Sequence, residues 1–412
     1  MNKSSVLSFP RKVLMPDAHN CSRESILKTH KTSITDGQGG RILLKGVNFG
    51  GWLMMEAYVV HAPNLPQQVF EKEFTKQCGI RALNELRDKF RDNFITEGDF
   101  KQVASWGMNC IRLPFHYKVG ADAKAVSYLD QAILWARKHK VYLILDLHAA
   151  YGAQNPDWHS DSLDGKTELW TNKLNRHKTY ALWEKLADRY KDETIIAGYD
   201  LLNEPVLQNT GLLNEFYHES IKAIRRSDKN HILFIEGKNW AQQIDVLDDF
   251  ADDNWVYSIH FYEPMEFTFN LIPFMRYPWG HCNKDTLARR MEGYFCFAQK
   301  KQRPVHVGEF GVNYRQGVYN EHMYLQDELK CFNDLGFHWN YWTYKAVKNN
   351  MFPDGIYGYY PNSPWVHRQG PRTGWDCWEQ LWAGHKNEMT ASWSTQAFGL
   401  NTHVIEGLKK AV

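Results

Sequence analysis

Short apolar runs recur along the chain, each ending in polar residues and separated by segments with helical spacing. Such runs of four to eight residues read as buried strands. Arg41 to Phe49 is the first, closed by Gly50-Gly51-Trp52. Asn109 to Pro114, Val141 to His148, and Ile195 to the Asn203-Glu204-Pro205 tripeptide follow. The later four are His231 to Glu236, Trp255 to Tyr262, Pro304 to Gly311 and Gly336 to Tyr344. The third, VYLILDLH, is almost wholly apolar, as expected of a strand covered on both faces.

Helical patterns fall at about 66–92, 100–106, 129–139, 175–191, 211–226, 284–301, 321–335 and 400–410. Thr96, with Asp99 three residues on, predicts the cap of the second of these, and Gly107 its end. Strands alternating with helices predict a parallel sheet, and eight of them predict an α/β fold closed as a (β/α)8 TIM barrel with long βα-loop insertions. One insertion follows the first strand at about 66–92, and a long polar loop spans 149–171. Residues 1–35 are polar and aperiodic and read as a loose N-terminal arm. Residues 36–412 read as a single domain, because no low-complexity linker divides them. The segment 346–399, rich in Pro, Gly, Trp and Tyr, reads as a long ordered loop that could wall a cleft.

Two of the strands run into a glutamate set in a distinctive tripeptide, Asn203-Glu204-Pro205 and Gly308-Glu309-Phe310. Glu204 precedes Pro205, which biases it toward an extended backbone, and Glu309 precedes Phe310-Gly311. In a parallel barrel the strand ends form the face where catalytic groups gather. Two carboxylates 105 positions apart, brought to one pocket, form the pair that glycoside hydrolysis requires. Other strand ends carry Arg112, His148, Asn203, His260, Tyr262 and Trp342. A single strand-end histidine is more often structural than catalytic. The ordered series over successive strands is what carries weight.

Composition removes other classes. Charged residues are 23% with a net charge of +2 and no basic block, so no nucleic-acid partner is expected. No stretch reaches membrane-spanning length and no signal-peptide core is evident, which predicts no membrane association and a cytoplasmic location. Seven scattered cysteines without CxxC pairs give no disulfide framework, and Cys110 reads as a small core residue. Aromatic residues are 14%, including 16 Trp and 21 Tyr, which suits sugar stacking but equally suits core packing.

The series Arg112, His148, Asn203-Glu204, His260-x-Tyr262, Glu309 and Trp342 resembles glycoside hydrolase family 5, the cellulase-type retaining β-glycosidases. Phe94-Ile95-Thr96-Glu97 through Arg112-Leu113-Pro114-Phe115, and His260-Phe261-Tyr262-Glu263-Pro264, extend the similarity. The resemblance spans about residues 41 to 345 and implies an O-glycosyl hydrolase acting on a β-linked oligosaccharide or glycoside, without cofactor or metal. It implies Glu204 as general acid/base and Glu309 as nucleophile. Arg112 and Tyr262 would hold the charge of Glu309, Asn203 the sugar 2-hydroxyl, His148 and His260 hydroxyls or carboxylates, and Trp342 the ring being cleaved. An acid protonated at the start needs a raised pKa, and the nucleophile must stay ionised. Retention predicts carboxyls roughly 5–5.5 Å apart rather than about 6.5–9.5 Å.

Trp52, Trp158, Trp170, Trp240 and Trp279 are candidate subsite residues, each as consistent with packing. Glu56, Glu236 and Glu263 are further acids near strand ends, of which Glu236 reads as structural. The long loops depart from the family's endo-acting members and point to an exo-acting β-glucosidase or exo-glucanase. The alternatives are an endo-β-1,4- or mixed-linkage glucanase and a β-mannoside-active member. A non-catalytic carbohydrate-binding barrel would need no such acid pair. A metallohydrolase built on Asp146, His148 and His260 lacks an HxH pattern.

Overall fold

The computed structural model describes residues 25–60, 64–348, 350–359 and 375–412. The beginning of the expected arm and the Pro-rich middle of the tail, 360–374, lie outside the described residues. Eight strands form one closed barrel. They are β1 Lys45–Asn48, β2 Cys110–His116, β3 Tyr142–Ala149 and β4 Ile196–Asp200, then β5 Ile232–Glu236, β6 Trp255–His260, β7 Val305–Phe310 and β8 His338–Tyr341. All neighbouring pairs are parallel, and β8 closes on β1. This is the predicted (β/α)8 TIM barrel.

Every barrel strand is buried along its length or nearly so, which is why the apolar runs were legible. Gly46 permits one of the close strand approaches. A Cβ there would stand 1.7 Å from the Cys110 carbonyl oxygen. Register then places polar residues side by side: Asn48 opposite Arg112, Asp146 opposite Asp200, and Glu309 opposite His260.

Helices Val126–His139, Lys173–Tyr190, Thr210–Ser227, Lys284–Lys301 and Glu321–Leu335 cover the outside. Between β5 and β6 there is only the turn Lys238–Ala241. The insertion after β1 is two helices, Gln67–Cys78 and Ile80–Phe94, parted at Gly79. The next helix, Glu97–Ser105, carries the predicted capping box, with Asp99 accepting from the Thr96 amide at 2.7 Å.

Two expectations are corrected. Residues 28–35 are not loose: Lys28–His30, Ser33–Thr35 and Arg41–Ile42 form a small antiparallel sheet. Leu27 and Ile34 are fully buried there, two apolar side chains too few to register as a pattern. The tail is also not all loop, since Trp375–Trp393 is helical with a kink at His385. Its Trp378 packs on Phe70 and Phe90, and Trp382 on Phe74. Gly384 and the aromatic-rich flanks obscured its apolar face. Cys110 is buried within β2. No described helix is long and apolar enough to cross a membrane.

The tail is fastened to the barrel by Lys345. Its buried Nζ donates to the carbonyls of Phe94 and Trp393 and to Thr395 Oγ1. Burial pulls this amine down to about 7. The folded value lies below the unfolded one near 10.5, so the unfolded chain binds more protons between the two. Stability therefore rises as pH goes from about 7 toward 10.5. A Lys345→Met variant should be less stable by about 1–3 kcal/mol for each carbonyl left unpaired. In thermal unfolding it should lack this component of the pH-dependent rise, and an unchanged slope would refute the assignment.

Candidate active site

The site is assembled around one cation. Arg112, in β2, points into the barrel and is fully buried. Its Nε donates to Asp200 at 2.9 Å. Nη1 donates to Glu309 at 2.7 Å and to Asn48 at 3.2 Å. Nη2 donates to Asn203 at 2.8 Å and Glu236 at 3.1 Å, with Asp146 also at 3.1 Å. A planar guanidinium offers five donors in a fixed fork, and here its partners come from six places on the barrel.

Glu309 lies in β7. Its second oxygen accepts from the Tyr262 hydroxyl at 2.9 Å. Burial and the nearby charge of Glu309 push the Tyr262 phenol well above its usual range, so it remains a donor. Glu204 lies four residues past β4, not at its end. Its φ is +48°, the left-handed region, where the sequence predicted an extended backbone. Such a conformation costs on the order of 1–3 kcal/mol for a residue with a side chain. Tertiary bonds impose it: the Glu204 amide donates to Glu236 at 2.6 Å, and Asn155 Nδ2 donates to the Glu204 carbonyl at 3.0 Å. Glu236 is thus a structural partner, as read from the sequence.

The two oxygens of Glu204 meet two imidazoles. His260 Nδ1 is 2.7 Å from Oε1, and His159 Nε2 is 2.9 Å from Oε2. His260 also lies 3.5 Å from Glu309 and, by Nε2, 3.2 Å from Glu236. One oxygen of each glutamate and a ring nitrogen of His260 fall within 4.8 Å of one another.

The protonation pattern differs from the sequence expectation. Burial pushes Glu204 up, but hydrogen bonds and charge from His159 and His260 outweigh it and hold the carboxyl well below its ordinary range. At Glu309 burial and the charge of Glu204 prevail over His260 and Arg112, and the pKa is raised. Burial opposes charge on His260 and His159, yet the surrounding carboxylates raise both. In the free site, then, the charged carboxylate is favoured at Glu204 and the charged imidazolium at His260 and His159. The two carboxyls are also linked: neutralising Glu204 removes the repulsion that raises Glu309.

Asn203 gives its Oδ1 to Arg112, which leaves Nδ2 directed away from the guanidinium, buried and without a partner among the described residues. His148 lies between Asp146 at 2.7 Å and Glu56 at 3.3 Å. Burial pulls it down, but Asp146 and then Glu56 push it to about 10. Trp342 stacks on His148 with ring centres 5.4 Å apart and planes 4° apart, and its indole donates to the Tyr58 hydroxyl. A side chain at Gly50 would come 2.8 Å from the Trp342 ring. All eight candidate residues therefore converge, directly or through one neighbour, on the C-terminal side of the barrel.

Of the other candidates, Trp158 packs on Tyr58, Phe352 and His159 and belongs to the wall. Trp52 stacks on Trp135, and Trp170 donates to the Gln154 carbonyl and packs on Phe216, so both are packing residues. Trp240 reaches Asp157 on the rim, and Trp279 is largely exposed. Glu263 pairs with Arg290 outside this cluster. Asp146 is engaged by Arg112 and His148 and forms no ligand cluster with His260. Sequence reasoning missed His159, Tyr58 and the barrel carboxylate Asp200. The loop motif Gln154-Asn155-Pro156-Asp157-Trp158-His159 was the available signal, but only Trp158 was singled out in it.

Known proteins resemble this chain in sequence and in fold. The family model described as Cellulase (glycosyl hydrolase family 5) matches residues 72–348. A β-xylosidase of Phanerodontia chrysosporium is 32% identical over 342 residues, covering 78% of this chain and 71% of that protein. Endoglucanase C of Acetivibrio thermocellus is 27% identical over 351 residues, with coverage of 74% and 92%. The crystal structure of endoglucanase Cel5A from Thermotoga maritima has a TM-score of 0.58 at 18% identity, covering 88% of this chain and 96% of that one, a likeness of fold. The match across two thirds of the chain, joined to a barrel whose strand ends gather a buried glutamate pair, leaves one conclusion: this chain belongs to glycosyl hydrolase family 5 and is an O-glycosyl hydrolase of carbohydrate substrates.

Proposed function

We propose that the protein is a retaining, exo-acting β-glycosidase that cleaves β-glucosidic bonds in β-glucans or their oligosaccharides. The observation that carries retention is the gap between the carboxyls. One oxygen of Glu204 and one of Glu309 lie within 4.8 Å of each other, with His260 Nδ1 in contact with both residues, which favours the short separation of retention, about 5–5.5 Å between carboxyls, over the about 6.5–9.5 Å of inversion.

In this reading Glu309 attacks the anomeric carbon while Glu204 protonates the departing oxygen. Arg112 and Tyr262 keep Glu309 ionised and placed until the bond forms. As substrate displaces water, the imidazolium–carboxylate pairs at Glu204 become costlier than neutral pairs. One proton then crosses to Glu204: an N–H bond breaks, an O–H bond forms, and net charge is unchanged. Loss of the Glu204 charge in turn favours ionised Glu309. In the second half, Glu204, ionised again once its proton has gone to the departing oxygen, takes a proton from the water that releases the sugar. Asn203 Nδ2 is a free donor suited to the 2-hydroxyl, and Trp342, braced by His148 and Tyr58, offers a face to the sugar ring.

Exo action is supported by the enclosure. Both glutamates are less than a tenth exposed. An aromatic wall closes around them, with Phe352 packed on Tyr58, Trp158 and Phe269, and Phe269 on Tyr262. Phe352 comes from the segment after β8 and Trp158 from the loop after β3. The 32% identical β-xylosidase supports a second reading, a β-xyloside as the preferred glycone. Aryl β-glucoside, β-xyloside and β-mannoside, compared by kcat/KM, separate these readings.

Glu309→Ala should lower kcat on the order of 10³-fold or more while sugar binding by calorimetry persists. Unchanged turnover removes Glu309 as nucleophile. Proton NMR of the first product should show the β anomer, and an initial α anomer refutes retention. On a long β-glucan, single units or short oligosaccharides should appear first, whereas a ladder of mid-sized fragments from the start contradicts exo action. The pH profile has a defined sign. His159 and His260 titrate above the ordinary 6.5, so the protons they share with Glu204 persist through that pH and are lost above it. The alkaline limb of kcat/KM should therefore lie above 6.5. A limb near the ordinary glutamate value of 4.5 would remove the imidazoles from the proton account.

A further inference from the structure

Two imidazoles serve the one carboxylate, and they differ in access. His260 is 1% exposed in its side chain and is enclosed by Glu204, Glu236 and Glu309. His159 is 16% exposed in its side chain and touches the other oxygen of Glu204. It sits at the wall between the buried pair and the outside. Resting on the reading of Glu204 as acid/base, we infer that His159 is the positioning residue that lends Glu204 its proton and takes one back, while His260 holds the carboxylate in place.

The loop that carries His159 is firmly built. Asn155 Oδ1 accepts from the Asp157 amide at 3.0 Å, and Ser160 Oγ donates to the Asn155 carbonyl at 2.8 Å. Trp240 on the turn after β5 donates to Asp157 at 2.7 Å, and Asp161 pairs with His116 of β2 at 2.8 Å. The Asn155 amide lies 3.1 Å from His159 Nε2 and also donates to the Glu204 carbonyl. Asn155 Nδ2 can donate to the ring only after Nε2 has given up its proton, so this amide supports the neutral ring that the transfer leaves behind. A residue serving only to fill space would not need its ring nitrogen fixed against the carboxylate.

The charged groups facing His159 favour its holding a proton. Glu204 contacts it from the loop after β4, Glu56 acts on it from the loop after β1, and Asp157 from its own loop. His148 of β3 lies with its ring centre 6.1 Å away and His260 of β6 acts through Glu204. Three acids outnumber the cations near the ring. In the forward step His159 Nε2–H gives its proton to Glu204 Oε2, and the ring is left neutral, still carrying its Nδ1–H. In the reverse step Glu204, having taken a proton from the attacking water, returns one by the same bond. No other reactant is needed.

The test compares two glycosides of one sugar. A dinitrophenyl aglycone leaves without a proton, and a methyl aglycone requires one. His159→Gln keeps an N–H donor for Glu204 but cannot exchange a proton. It should reduce kcat/KM for the methyl glycoside by about tenfold or more and leave the dinitrophenyl glycoside within about twofold. In His159→Ala, added imidazole should restore the methyl glycoside reaction. Equal losses on both substrates, no loss on either, or no recovery with imidazole would each overturn the inference. Glu204→Ala in the same assay separates the two claims. If it cleaves the methyl glycoside normally, the reading of Glu204 fails. If it is inactive while His159→Gln is not impaired, only the role of His159 fails.

Discussion

A single buried cation organises this barrel. Arg112 stands among Asp146, Asp200, Glu236 and Glu309, and without it four carboxyls would face each other in a dry interior. Burial, with Glu236 and Asp146 nearby, already pushes Asp200 well above the carboxylate range despite the guanidinium. Breaking a buried pair by removing one partner costs about 3–5 kcal/mol, and here one residue is partner to several. Lysine could not substitute, because a point charge cannot reach six acceptors in fixed directions. The same fork sets the chemistry. It aims the Asn203 amide, holds one oxygen of Glu309, and links both through Glu236 to the backbone that presents Glu204.

Strain and electrostatics meet at Glu204. Its left-handed backbone is sustained by Glu236, at the end of β5, and by Asn155, in the loop after β3. That turn carries its carboxylate between His159 and His260, with Glu309 close by. The arrangement suits the acid/base role proposed for Glu204: the imidazoles stabilise its charge, and a short proton transfer would remove it. Enclosure by Tyr58, Trp158, Phe269 and Phe352 lowers the local dielectric and makes the two states closer in energy.

Much of this was legible along the chain. The eight strands were recoverable because strands buried on both faces are apolar almost throughout, and the residues that interrupt them at one end are the chemistry. Arg112, His148, Asn203, Glu204, His260, Tyr262, Glu309 and Trp342 could be named for that reason. The helix at Trp375–Trp393 and the small sheet at 28–42 were less visible, since their apolar side chains are few or interrupted. His159 was hidden more deeply. It lies in a long loop without periodicity, and a histidine there is indistinguishable from any polar loop residue until the loop folds back.

Local sequence thus determined the barrel, the identity of the acidic pair and the family, because burial period and strand-end chemistry are properties of neighbouring residues. Tertiary structure alone decided where the protons rest, which way Glu204 turns, and what closes the pocket. Those depend on distances between groups from separate loops: two imidazoles against one carboxylate reverse the pKa that burial alone would produce. A pKa is a sum over space, and the chain order of Glu204, His159 and His260 contains no record of that sum.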